Sequence, residues 1–126
     1  MIGKVVDASA LAALVRGSVA ADAWFATMRA LSQPLYLPSL ALTEVRAVRP
    51  DAGSQLAELI GHPAVVLGDL DADTANRVDV LLDDAGVFDA LAGHVVHIAR
   101  TRGWPALTAD LGRLHRLDPT LDVDHV

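Results

Sequence analysis

Cysteine is missing from all 126 residues, which removes disulfide frameworks, thiolate metal sites and thiol nucleophiles at once. Aromatics are scarce: two Trp, two Phe and one Tyr. Lys occurs once, as Lys4, beside nine Arg, and Glu only twice, as Glu44 and Glu58, beside fourteen Asp. No apolar run approaches the roughly 18–20 residues that a membrane-crossing helix needs, although 52% of the residues are apolar. The N-terminus lacks the charged start, apolar stretch and small-residue cleavage site of a signal peptide. A soluble, cytoplasmic protein is the expectation. The formal net charge of −6 argues against broad electrostatic attraction to nucleic acid. It leaves room for an enzyme whose acids hold a metal cation.

What is present is an alternation of short apolar runs with helical patterns. Ile2 to Val6 reads as a buried strand and Ser9 to Arg16 as a helix. Val19 to Leu31 carries a helical stripe at Ala21, Trp24, Phe25, Met28 and Leu31. Leu35 to Pro38 is a short strand, and Ser39 is a candidate N-cap for a helix over Leu40 to Val48. A helix to about Ile60, a strand over Ala64 to Leu67, and helices over Asp71 to Ala85 and Asp89 to Arg102 follow. Ala106 to Thr108 is a strand, Leu111 to Leu117 a short helix and Leu121 to Val126 a terminal strand. Such alternation predicts an α/β fold, a three-layer α/β/α sandwich around a mostly parallel sheet. With no linker, repeat or low-complexity tract, residues 1–126 are expected to form one domain.

Four acids stand out from their surroundings. Glu44 shares a helix face with Leu40, Ala41, Val45 and Val48, where an unpaired carboxylate is costly to bury. Asp89 sits at a helix start, on the face that continues through Ala92, Val96 and Ala99. Asp7 and Asp110 each follow an apolar strand and precede a helix, at the edge where open α/β sheets gather their chemistry. Each has a plainer explanation. Asp7 and Asp110 suit helix N-caps, Asp89 a favourable interaction with the helix dipole, and Glu44 a pairing with Arg46 or Arg49. Together they would repel one another unless a cation lay between them. Hard oxygen ligands of this kind select Mg²⁺ or Mn²⁺, and several carboxylates around a metal suit phosphoryl transfer. Arg46, Arg49, Arg100 and Arg113 are candidate phosphate contacts. Without the four acids, 10 basic residues face 12 acidic ones, so site metals and nearby Arg would have to supply most phosphate attraction.

Other features have simpler readings. His94 and His97, three apart on a helix, lie opposite the Ala92–Val96–Ala99 face and are expected in solvent. Trp24, Phe25 and Met28 suit a core stripe or a partner groove. Gly93, inside a helix at a cost of about 1 kcal/mol, suggests close packing.

Val5-Val6-Asp7-Ala8-Ser9, Leu42-Thr43-Glu44-Val45, Phe88-Asp89-Ala90-Leu91 and Leu107-Thr108-Ala109-Asp110 occur in that order across the full chain. This series resembles the PIN-domain nucleases, particularly the VapC-type toxins of toxin–antitoxin pairs. The resemblance implies a PIN-like fold and a Mg²⁺-dependent (or Mn²⁺-dependent) endoribonuclease that cuts RNA, neutralised by a cognate antitoxin and forming a homodimer. It implies that Asp7, Glu44, Asp89 and Asp110 hold the metal, directly or through water, and that Ser9 and Thr108 line the site. Two alternatives remain at this level. One is a non-catalytic interaction module on the same fold. The other is a receiver-like signalling domain, disfavoured because Asp7 lacks a neighbouring acid and the single Lys lies at the N-terminus.

Overall fold

A computed structural model describes residues 2–126. Its strands are β1 (Lys4–Val6), β2 (Leu35–Pro38), β3 (Val65–Gly68), β4 (Ala106–Thr108) and β5 (Val123–His125). The helices are α1 (Ala8–Val15), α2 (Val19–Ala30), α3 (Ser39–Val48), α4 (Gly53–Ile60), α5 (Ala72–Ala85), α6 (Ala90–Arg102) and α7 (Leu111–His115), with a 3-10 turn at Pro50–Ala52 before α4. The five strands form one sheet in the order β3-β2-β1-β4-β5, and every pairing is parallel. The three-layer α/β/α sandwich expected from the alternation is thus observed.

A parallel sheet is covered on both faces and therefore needs nearly continuous apolar strands. Val5 and Val6 of β1 and all four residues of β2 are buried. At the sheet edge the requirement relaxes, and Val66 and Leu67 of β3 are exposed. Against β1, β2 and β4 packs α6, with α5 lying on α6 in turn. The helix α1 packs on β4 and against α2 and α3, while α3 and α4 contact β2 and β3 respectively. From β1 the chain moves outward to β2 and β3, then returns to β1's other side to add β4 and β5. The strand order therefore reverses between β1 and β4, and a crevice opens above their carboxyl ends.

Three expectations change here. His94 is not in solvent: it is fully buried, and its Nε2 lies 3.0 Å from the Tyr36 hydroxyl, while His97 is half-buried. The reason is that α6 runs between sheet and α5, so almost its whole circumference is covered. The Cβ-less Gly93 permits that close approach, because an added Cβ would lie 2.7 Å from Val78 Cγ1 and 3.0 Å from Leu82 Cδ2. Ser39 is not a cap but the first residue of α3, which starts after Pro38 with no side-chain cap bond. Proline's fixed φ sets that entry instead. On α2, Phe25 and Met28 are buried as expected, whereas Leu31 is exposed.

Candidate active site

The crevice is built from helix starts. Asp7, Asp89 and Asp110 are the N-caps of α1, α6 and α7, accepting from the backbone N–H of Ala10 (2.9 Å), Ala92 (3.1 Å) and Arg113 (3.2 Å). The plain capping role is therefore real for all three. It also fixes where their second oxygens can go.

Asp7 forms the floor. Its Oδ1 accepts from Ser9 Oγ at 2.7 Å as well as from Ala10, and its Oδ2 accepts from Thr108 Oγ1. Both hydroxyls are fixed in turn by the strand-to-helix turn after β4: Ala109 N–H donates to Ser9 Oγ (2.8 Å) and Asp110 N–H to Thr108 Oγ1 (2.9 Å). Each hydroxyl has one proton, and the two oxygens lie 3.1 Å from one another as well as beside Asp7. Burial pushes the Asp7 carboxyl up from its ordinary range, opposed by the bonds from Thr108, Ala10 and Ser9 and by the charge of Arg113.

The rim is built on Arg113. Its Nη1 and Nη2 donate to Glu44 Oε2 and Oε1 at 2.8 and 3.0 Å, and its Nε and Nη2 donate to Asp89 Oδ2 and Oδ1 at 2.7 and 3.0 Å. One guanidinium thus occupies all four oxygens of two carboxylates that are distant in sequence, in the fork geometry that arginine suits. Arg116 Nη2 stands a further 3.8 Å from Asp89 Oδ2. Hydrogen bonds from Arg113 hold the Asp89 carboxyl below its usual range, against some desolvation. The same partners raise the Arg113 guanidinium above its own usual value.

A cavity of about 300 Å³ opens beside this cluster, lined by Ser9, Arg16, Glu44, Arg49, Asp110 and Arg113 among others. Five of the sequence-derived site residues thus reach it. Asp7 lies beneath Ser9, and Asp89 joins through Arg113. Arg49 lines the cavity while paired with Asp51 at 3.0 and 3.1 Å. Arg100 is elsewhere, bonded to Asp118 at 2.8 Å beside other clefts. Arg46 is exposed on α3. Arg16 and Arg116 escaped the sequence reading, and so did the central position of Arg113. The available signal was the three-residue spacing from Asp110 to Arg113 to Arg116 on one short helix, which stacks the two arginines near that cap.

Four converging acids were expected to require a divalent ion. In the structure a guanidinium, that of Arg113, lies between Glu44 and Asp89 and offsets one of their two charges. The donor types do fit Mg²⁺ or Mn²⁺, being hard carboxylate oxygens. Among the described residues, however, no three His, Cys, Asp or Glu side chains stand together as a metal set, and the guanidinium occupies the space in which Glu44 and Asp89 would meet.

Fold and site together define a parallel α/β protein with a carboxylate-lined cleft at its switch point. Solved structures that share this fold include two complexes. One is VapBC2 from Rickettsia felis bound to a DNA fragment from their promoter, with TM-score 0.73, 13% identity, and coverage of 100% of this chain and 99% of that chain. The other is FitAB bound to an IR36 DNA fragment, with TM-score 0.68, 16% identity, and coverage of 99% and 94%. No family model and no curated protein matches the chain.

These findings overturn the identification as a PIN-domain nuclease of the VapC type. The likeness to DNA-bound VapBC2 and FitAB, at 13% and 16% identity, establishes a fold and not a family. The motif series also has a local cause. Strand–Asp–helix is what N-capping produces wherever a parallel strand enters a helix, and three of the four motifs contain such a cap.

Proposed function

We propose that the cleft is the active site of a divalent-metal-dependent phosphodiesterase that cuts single-stranded nucleic acid, RNA being the expected substrate. The observation that supports this reading is that Glu44 and Asp89, from separate elements, meet through Arg113, whose backbone N–H bonds Asp110, beside a buried Asp7. Structural ion pairs do not require that gathering at the sheet's switch point.

Asp7, Glu44, Asp89 and Asp110 would hold the ion. When bound, Mg²⁺ eases deprotonation of water and offsets negative charge building on a phosphate. Ser9 and Thr108 bond both Asp7 oxygens, which fixes the direction of the carboxyl and opposes the upward push of burial. Asp110, exposed at the mouth, is placed to accept a proton from an entering water. Arg16 and Arg49 line the cavity and offer forks for phosphate oxygens. Phe88, fully exposed next to Asp89, presents an aromatic face on which a base can stack.

The chain is further proposed to work within a toxin–antitoxin pair, held in check by a protein partner and itself paired as a homodimer. The fold shared with the VapBC2 and FitAB assemblies supports this. Cleavage of purified RNA with Mg²⁺, with chelator, and by Asp7→Asn tests the chemistry. Metal-dependent cutting that Asp7→Asn loses is the expected result. Equal cutting by both proteins would show that another site or a contaminant is responsible.

One observation favours a second reading: the VapBC2 and FitAB structures are both bound to DNA fragments. In it, the chain is a DNA-contacting member of such an assembly. Its net charge of −6 weighs against direct contact. Retardation of promoter DNA by the purified chain alone, weakened by salt, would favour this reading over catalysis.

A further inference from the structure

We infer that Arg113 is a resident competitor for the metal: the guanidinium holds Glu44 and Asp89 in a closed, metal-free arrangement and must withdraw from them before a divalent ion enters. The inference rests on the metal-site reading above and adds to it a second state of the same site.

Four hydrogen bonds of 2.7–3.0 Å join this one side chain to both oxygens of Glu44 and both of Asp89. An ion bridging those carboxylates would need the same oxygens, and a cation beside a guanidinium is repelled by it. The two occupants therefore exclude each other, sterically and electrostatically. Arg113 is also tethered. Its backbone N–H caps onto Asp110 at 3.2 Å, so the side chain stays within reach of the site at all times. An intramolecular competitor of this kind acts at high effective concentration. The side chain is mostly covered, at 22% exposure, while Glu44 opposite is 45% exposed. Glu44 is the side on which the clamp can open without disturbing the core. Asp7, whose oxygens accept from Ser9, Thr108 and Ala10, takes no part in the clamp and keeps its position whether the clamp is closed or open.

Titration of Mn²⁺ into the full chain by calorimetry provides the test, using the wild type, Arg113→Gln, Arg113→Lys and Asp7→Asn. Arg113→Gln is expected to bind Mn²⁺ roughly 5- to 150-fold more tightly than the wild type, the usual span for coupling between two ligands. Arg113→Lys should fall between them, because an ammonium cannot fork two carboxylates. If Arg113→Gln does not fold, a gain by Arg113→Lys alone carries the proposal. In the wild type, the Arg113 Nε–H resonance should be protected without metal and become exchange-broadened as Mg²⁺ is added. Asp7-dependent Mn²⁺ binding that is unchanged or weaker in the arginine variants overturns the competitor and leaves the metal site standing. Absence of Mn²⁺ binding from every folded variant overturns both.

Discussion

Asp7 and Asp89 hold the same local position and live in opposite electrostatic surroundings. Each caps a helix, and each lies within one residue of a strand-to-helix or loop-to-helix junction on the same side of the sheet. Asp7 is buried among neutral donors, so desolvation dominates and its carboxyl is pushed up. Asp89 is gripped by a guanidinium, so its carboxyl is held down. The crevice is therefore divided into a floor built from hydroxyls and backbone amides and a rim built from charge. A floor of neutral dipoles is fixed by packing. A rim of ion pairs can be remade when another cation arrives.

The largest effect expected from breaking this division is on catalysis. Asp7→Asn should reduce RNA cleavage to the no-enzyme background in a gel assay, since no neighbouring acid can take over the floor position. Next, Ser9→Ala combined with Thr108→Val removes both hydroxyls that orient Asp7. Groups in that supporting position typically change metal affinity or activity 10- to 100-fold, and Mn²⁺ titration alongside steady-state rates would show it.

The stability effects are smaller and should have opposite signs. Asp89→Asn breaks one half of a charge-assisted pair and should destabilise the metal-free fold by about 1–3 kcal/mol in urea melts. Asp7→Asn relieves a desolvated charge and should leave the metal-free fold at neutral pH unchanged or up to about 1 kcal/mol more stable. The pH dependence follows from the same shifts. Asp89 has a lowered folded pKa, so its contribution is complete above the unfolded value of 3.8 and is lost as pH falls through the lower folded value. Asp7 has a raised folded pKa. Its contribution favours the fold at low pH and disappears as pH rises from 3.8 through the folded value. Urea midpoints across the acid range should therefore rise less steeply with pH in Asp89→Asn, and more steeply in Asp7→Asn. The smallest effect lies away from the cleft. Gly93→Ala forces a Cβ against Val78 and Leu82 and should cost about 1 kcal/mol in the same melts, helix propensity offsetting part of the overpacking.

Much of this molecule could be read from its residues. The strands at Lys4–Val6, Leu35–Pro38 and Ala106–Thr108 are short apolar runs that only a covered parallel sheet explains, and the acids after two of them mark the cleft. Capping follows a strong local rule, which is why Asp7, Asp89 and Asp110 were legible as helix starts. The burial of His94 was not legible. Periodicity shows one apolar face of α6, whereas the second face is covered only because α5 folds back over it. The clamp was hidden for a related reason. Arg113 is separated from Glu44 by 69 residues and from Asp89 by 24, and no local pattern announces a pairing across that distance. The family likeness failed where local rules were strongest, because capping by itself generates the motifs on which it rested.

The proposal that the carboxylates of floor and rim form a metal site held closed by Arg113 can be checked in a crystal. Crystals grown without metal and then soaked in Mn²⁺, with anomalous diffraction measured at the manganese edge, test it most directly. A peak roughly 2.0–2.3 Å from carboxylate oxygens of Asp7 and Asp89 is expected, with the Arg113 side chain withdrawn from the space it now fills. A crevice without anomalous signal at saturating Mn²⁺, with Arg113 still bonded to Glu44 and Asp89, would contradict it.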